Sequence, residues 1–255
     1  MKYGYVVFVI GGCVDTKENH SGIYLLPNLF TTASLFAAFY AIVAAMQAHY
    51  ETAVIAIFVG MLSDGLDGRV ARLTNTQTAF GAQYDSLSDM VTFGVAPSLL
   101  LYSWLLHGLG KIGWLVAFTY TAAVALRLAR FNTKKVDKRY FQGLSCPAAA
   151  ALVSAYVWLC QPTQVPNTIL INFTAILAVV LALLMVSNIR YYSFKEIDFK
   201  GKVPFIYLLL VVIAFVFIAA NPAIVLLVIF VSYALSGPVW WLWTRYRWYK
   251  KTKMH

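Results

Sequence analysis

Apolar residues run along this chain in long blocks separated by short polar punctuation, at residues 29–48, 51–73, 82–107, 111–131, 145–161, 166–187, 203–219 and 221–243. A hydrocarbon layer of ~30 Å needs about 20 helical residues at ~1.5 Å each, so each block predicts a membrane-crossing helix. Several blocks are longer or carry charge at one end, which predicts helices that project beyond the lipid. The blocks 145–161 and 203–219 are at the short limit. The expected fold is all-α, a polytopic membrane bundle of about eight transmembrane helices. No flexible linker, low-complexity tract or long soluble loop interrupts the series, so residues 23–255 read as a single domain.

Composition agrees with this. The chain is 61% hydrophobic and only 12% charged, with a mean hydropathy of +0.71; soluble proteins are about half apolar and about a quarter charged. The net charge of +10 is arranged along the chain rather than scattered. In an up-and-down bundle, both termini share one side with the connections near 69–80, 127–144 and 188–202, and that side holds 19 of the 20 lysines and arginines. Lys111 stands alone on the other. The positive-inside rule then places both termini in the cytoplasm. Topology accounts for most of the basic excess, and attraction to anionic headgroups or a phosphorylated substrate is a second use of it.

At the N-terminus, VVFVIGG is too short to span and is followed by CVDTKENHSG. Residues 1–22 therefore predict an interfacial or poorly ordered segment rather than a signal peptide. Cys13, Cys146 and Cys160 have no metal-ligand spacing and read as small apolar fillers. The expected location is the cell (inner) membrane; a lipid bilayer is the expected surrounding, and no nucleic-acid partner is expected.

One stretch breaks the pattern. DGLDGRVARLTNTQTAFGAQYDSLSD, from Asp64 to Asp89, holds four of the chain's ten acidic residues. A charge at mid-bilayer costs ~2.5–3.5 kcal/mol on insertion scales, so four acids need neutralising. Asp64 and Asp67 are three residues apart and Asp85 and Asp89 four apart, so each pair shares a helix face. Counted from the connecting turn at ~1.5 Å per residue, Asp64, Asp89, Asp67 and Asp85 stand at heights of ~15, ~12, ~10 and ~6 Å. Two pairs at similar heights on adjacent antiparallel helices can converge on one cavity. Two divalent cations would balance four carboxylates, and oxygen donors suit Mg²⁺ or Mn²⁺. Two such ions ~3.5–4 Å apart are a known clamp for phosphoryl chemistry. Gly65 and Gly68 would let a ligand approach the helix, and Arg72 could meet a phosphate. The same four acids are also compatible with ion pairing to Arg69, Arg72, Arg127 or Arg130, and with a cation-coupled transporter site.

The pattern D-G-L-D-G-R-V-A-R, eight further residues, then G-A-Q-Y-D-S-L-S-D, resembles the signature of the CDP-alcohol phosphotransferases. Asp64, Asp67, Gly68, Ala71, Arg72, Gly81, Asp85 and Asp89 all match it. The resemblance implies a membrane enzyme that moves a phosphoalcohol group from a CDP-linked donor to an alcohol and releases CMP. It implies two metals held by Asp64, Asp67, Asp85 and Asp89, with Asp89 as general base, and it implies a homodimer. It makes Asn28 and Thr31 of LLPNLFT candidate nucleotide contacts, together with Gly68, Arg72, Thr78 and Gly81. Helix entry and local capping account equally well for Asn28 and Thr31, and a plain loop threonine for Thr78.

Four further segments narrow the branch: PNLFTTA, VTFGVAPS, ALRLARFN and FQGLSCPAAA. With the loop LMVSNIRYYSFKEIDFKGKVPF they resemble the membrane-integral phosphatidylserine synthases, over Tyr24 to about Phe205. On that resemblance the catalytic core is 24–200, with two extra C-terminal helices at 203–243. The donor would be CDP-diacylglycerol and the acceptor L-serine, whose carboxylate needs a cation; Arg127, Arg130 and Arg190 are the candidates. Sibling activities with glycerol 3-phosphate or inositol phosphate remain alternatives. Tyr191, Tyr192 and Phe194 read as an interfacial aromatic belt.

Overall fold

The computed structural model describes residues 25–74, 76–133, 140–161, 168–192, 216–217 and 219–252. Its long elements are helices: α1 Leu25–Met46, α2 Tyr50–Leu73, α3 Ala79–Asp89, α4 Ala96–Trp104, α5 Lys111–Thr133, α6 Cys146–Cys160, α7 Thr168–Val186 and α8 Pro222–Thr252. Helices α3 and α4 are one rod, joined through a π-helical turn at Met90–Val95. Seven of the eight apolar blocks thus coincide with helices. The block 203–219 and the segment 1–22 lie outside the described residues, the former but for a few positions.

Among the described residues, four helices are long and apolar enough to cross a membrane: Leu26–Met46, Lys111–Thr133, Thr168–Val186 and Pro222–Arg247. Mean hydropathy peaks at 2.8 in α7, whose Ile169, Phe173, Ile176 and Leu183 turn outward. Exposed apolar side chains on such a helix are suited to lipid. Helix α6, by contrast, is buried nearly all round from Ala148 to Val157, and its alanines let the neighbouring helices close on it. The same device joins α1 to α2. Ala37, Ala38, Ala41, Ala44 and Ala45 of one face Ala53, Ala56 and Gly60 of the other, all of them buried. This close approach brings the polar start of α1 alongside the aspartate-bearing half of α2.

A small two-stranded antiparallel ribbon, β1 Tyr140–Gln142 with β2 Arg190–Tyr192, stands where the sequence predicted only loops. Gly143 leaves it with φ +79°, and a Cβ there would lie 2.2 Å from the Met185 carbonyl oxygen. Only glycine passes this point, and it turns the chain into α6. The ribbon corrects one expectation: Tyr191 is no belt residue. Its side chain is 1% exposed and its ring packs at a tilt of 43° against that of Tyr233 of α8, with 5.6 Å between centroids. Burial pushes its phenol up to about 12, so it remains a hydrogen-bond donor at neutral pH.

Candidate active site

Helix α2 ends through its own threonines. Thr74 Oγ1 donates to the Val70 carbonyl at 2.8 Å, lies 2.7 Å from Thr76 Oγ1, and the Thr76 amide closes back on Ala71 at 3.0 Å. Thr78 then caps α3, its hydroxyl accepting from the Gly81 amide at 3.0 Å. The return brings the aspartate-bearing parts of α2 and α3 to one site, although the two helices pack on each other along little of their length and α1 lies against both.

Asp64, Asp67 and Asp85 each offer a carboxylate oxygen, and these oxygens lie within 4.8 Å of one another. Asp89 joins the cluster one helical turn on, its carboxyl group in hydrogen-bond contact with that of Asp64; Asp67 meets Asp85 in the same way. Carboxylates at such range repel strongly unless a proton or a cation lies between them. Their surroundings supply little else. Asp64 Oδ1 and Asp89 Oδ1 are buried without a hydrogen-bond partner.

The neighbouring arginines are engaged elsewhere. Arg72 Nε donates to its own helix at Gly68 O, 2.9 Å away, and Arg127 Nη1 to Cys146 Sγ at 3.3 Å. Arg130 holds Gln142 Oε1 at 2.7 Å, Asn188 Oδ1, and Val186 O at 3.3 Å. None of these three is ion-paired with the four aspartates, which removes ion pairing by them as the reason for the cluster. An all-oxygen donor set with orphaned buried oxygens fits a divalent cation.

Helix α1 completes the site. The Thr31 hydroxyl donates to Asp67 Oδ2 at 2.7 Å, with Pro27 O at 3.1 Å as a second acceptor. Thr31 is thus part of the carboxylate cluster rather than a simple cap. Ser88 Oγ donates to the Thr31 carbonyl at 3.2 Å, and Thr32 Oγ1 lies 3.0 Å from the Tyr84 hydroxyl, so α1 and α3 are stitched together at Thr31 and Thr32. Asn28 Oδ1 stands 3.4 Å from the point a Gly81 Cβ would occupy, with Thr78 Oγ1 at 3.1 Å. Three of the predicted nucleotide contacts therefore meet at one place. Gly65 and Gly68 face open space: a Cβ on either meets nothing within 4 Å. Packing among the described residues does not require these glycines, which directly follow Asp64 and Asp67 in α2.

The three candidate acceptor arginines differ in their surroundings. Arg127 is partly buried, and its Nε is sealed from solvent without a partner. The thiol it contacts, Cys146, is within electrostatic reach of Asp89 as well. Arg130 is committed to holding β1 and the end of α7 against α5. The side chain of Arg190 lies outside the described residues, although its backbone pairs with Gln142 in the ribbon.

Several participants were not foreseen from the sequence. Ser88 and Tyr84 are read from a helix face only once α1 is known to cover it. Asn132 Nδ2 donates to Ser86 Oγ at 3.0 Å, tying α5 to α3. Cys146, expected as filler, is the acceptor for Arg127. Of the remaining cysteines, Cys160 is half-buried in α6 and Cys13 lies outside the described residues.

Residues 24–185 match the CDP-alcohol phosphatidyltransferase family, a segment that contains every element of the aspartate cluster and its α1 cover. A Helicobacter pylori protein (strain ATCC 700392 / 26695) named CDP-diacylglycerol–serine O-phosphatidyltransferase is 40% identical over 222 residues, covering 86% of this chain and 92% of its own. The Bacillus subtilis (strain 168) protein of the same name is 36% identical over 171 residues, 67% of this chain and 92% of its own. One from Methanocaldococcus jannaschii is 43% identical over 135 residues, 53% and 61% of the two chains. By the extent of the match and by the aspartate cluster at its centre, the chain belongs to the CDP-alcohol phosphatidyltransferase family.

Proposed function

We propose that this protein transfers the phosphatidyl group of CDP-diacylglycerol to the hydroxyl of L-serine, giving phosphatidylserine and CMP. The observation that carries the proposal is the convergence of Asp64, Asp67 and Asp85, joined by Asp89 through its contact with Asp64, in a chain aligned over most of its length with serine transferases. The relatives' names bear on the acceptor, the geometry on the chemistry.

Asp64, Asp67, Asp85 and Asp89 are the residues that would hold two divalent cations, Mg²⁺ or Mn²⁺. Such ions supply charge neutralisation of the pyrophosphate and of the departing CMP. The chain's own groups do the rest. Thr31 fixes the Asp67 carboxylate by its hydrogen bond. Asn28, Thr78 and Gly81 border the space for the nucleotide, Gly65 and Gly68 leave it open, and Arg72 stands one turn from Gly68 for a phosphate oxygen. Asp89 takes the proton from the serine hydroxyl as that oxygen attacks phosphorus in line, which a carboxylate within hydrogen-bond reach can do. Arg127 receives the serine carboxylate; its unpartnered buried Nε and its place beside Cys146 favour it over Arg130. Acyl chains enter from the lipid. A groove of about 570 Å³ between α1 and α2 supports this route; it is lined by Leu29, Phe36, Tyr40, Ile55 and Val59 and ends at Ser63, beside Asp64.

We place the protein in the cell membrane as a homodimer of eight-span subunits, with both termini and the active site on the cytoplasmic side. The distribution of lysine and arginine supports that orientation.

The test is a competition assay on purified protein in detergent–lipid micelles with CDP-diacylglycerol, Mg²⁺ or Mn²⁺, and equal L-serine, glycerol 3-phosphate and inositol phosphate. Phosphatidylserine formed with stoichiometric CMP, and lost with chelator, is the expected result. A different phospholipid would replace the acceptor while keeping the metal site. Solute uptake with no CMP would overturn the enzyme reading in favour of a transporter.

A further inference from the structure

We infer that α8, which lies outside the matched family segment, positions the acceptor side of the active site through Tyr233, and that Tyr191 holds α8 in place to do so. This rests on the proposal above that Arg127 faces the acceptor alcohol.

The attachment is built from a three-residue motif, Ser236-Gly237-Pro238, in the middle of α8. Gly237 removes a side chain: a Cβ there would lie 2.3 Å from Tyr191 Cζ, so the phenol ring rests directly on the helix backbone. Pro238, inside the helix, has no N–H to give to the carbonyl four residues earlier, that of Ala234. The Tyr191 hydroxyl takes the vacant place and donates to Ala234 O at 3.0 Å. Glycine makes the notch, proline frees the acceptor, and Tyr191 from the ribbon fills both.

This attachment fixes the neighbouring turn of α8. Tyr233 packs its ring on Tyr191 at 5.6 Å, and its phenol is hydrogen-bonded to the Ser145 hydroxyl and lies within electrostatic range of Arg127. Ser145 occupies the N-cap position of α6, where a serine ordinarily caps its own helix. In this chain its side chain makes no capping bond and serves Tyr233 instead. The next residue, Cys146, accepts from Arg127 Nη1 at 3.3 Å. Two consecutive residues at the start of α6 thus join α8 to the arginine and, through Cys146, to the surroundings of Asp89. The reaction's acids and the family match both end before α8 begins, so α8 sets the posture of the acceptor site and takes no part in bond making.

The test uses the full-length protein in micelles with CDP-diacylglycerol and L-serine. Losing one neutral hydrogen bond, Tyr233→Phe should raise the KM for serine about three- to tenfold, with kcat and the KM for CDP-diacylglycerol unchanged. Tyr191→Phe strands the Ala234 carbonyl and should do the same. Adding Pro238→Ala restores an N–H for that carbonyl, so the Tyr191→Phe/Pro238→Ala pair should regain most of the wild-type KM, while Tyr233→Phe should gain nothing from Pro238→Ala. A wild-type serine KM in Tyr233→Phe would overturn the inference. So would a parallel loss of kcat, both KM values and Tm in Tyr191→Phe, which would make the contact structural only. If the wild-type protein makes no phosphatidylserine but uses another alcohol, the substrate proposal fails, and the same variants read out on that alcohol decide the role of α8. An Arg127→Gln variant with an unchanged acceptor KM would separately remove the premise.

Discussion

Thr31 reaches across from α1 to α2 and gives its hydroxyl proton to Asp67 Oδ2 at 2.7 Å, so a residue outside the aspartate motif orients one of its carboxylates. The bond is buried and its acceptor is charged, the class worth ~1.5–3 kcal/mol. Thr31→Val keeps the shape and removes the donor. It should raise the Mg²⁺ or Mn²⁺ concentration for half-maximal activity by about tenfold or more, while Thr31→Ser should stay near wild type. Titrating the metal at saturating donor and serine checks this; an unchanged metal requirement in Thr31→Val would reduce Thr31 to a helix-entry residue.

Asp89 separates from the other three acids in what its loss should do. As the proposed base, its replacement by Asn keeps size and an acceptor oxygen but removes proton uptake, for which losses of about 10²–10⁴-fold are usual. Asp89→Asn should bind CDP-diacylglycerol and show a Tm close to wild type, yet release no CMP in the presence of serine. Donor binding by calorimetry alongside CMP release decides it. Substantial turnover in this variant would dismiss Asp89 as base.

The helices and the acids were legible in the sequence because both signals are local. A block of apolar residues declares a span by length alone, and two aspartate pairs at helical spacing declare their faces. What stayed hidden was non-local or depended on backbone detail. The π turn after Asp89 lies in MVTFGV, an apolar run with no feature that distinguishes it from α-helix. The link between Tyr191 and α8 joins residues more than forty apart in sequence, and the Tyr191-Tyr192 pair fits an aromatic belt equally well. Arg127 and Arg130 share one helical motif and look equivalent until Gln142 and Asn188, brought close by the ribbon, claim the second. Pro238 within α8 was the one local sign that a carbonyl there needs an outside donor.

That difference between the arginines is itself testable. Arg130→Gln removes a clamp with three oxygen acceptors, joining α5 to β1 and to the end of α7. Its main cost should be stability, roughly 1–3 kcal/mol for the acceptors left behind, seen as a lower Tm with a serine KM near wild type. Arg127→Gln should do the opposite, keeping Tm within a few degrees and raising the serine KM by about ten- to a hundredfold for a lost charge-assisted contact. It should also erode the preference for serine over ethanolamine, which lacks the carboxylate. Thermal melts and acceptor kinetics on the two variants side by side give the answer, and exchanged phenotypes would assign the serine carboxylate to Arg130.

Gly68 offers a case in which stability and activity should move in opposite directions. It sits in the interior of α2, where glycine costs about 0.5–1 kcal/mol relative to alanine through backbone freedom. Among the described residues, a methyl group added there meets no atom of a neighbouring element within 4 Å, so packing against them does not oppose Gly68→Ala. That variant should melt at a higher temperature than wild type. Yet the space the methyl enters is the space beside Asp67 and Asp64 that the donor's phosphates are proposed to use. The KM for CDP-diacylglycerol should therefore rise several-fold in Gly68→Ala and further in Gly68→Val, while the KM for serine holds. A glycine kept at a cost to its own helix, with no packing reason, is one kept for a ligand. Should Gly68→Ala be both more stable and fully active, the donor must bind along another face of α2, and Gly65, Gly68 and Arg72 would together lose their place beside the donor's phosphates.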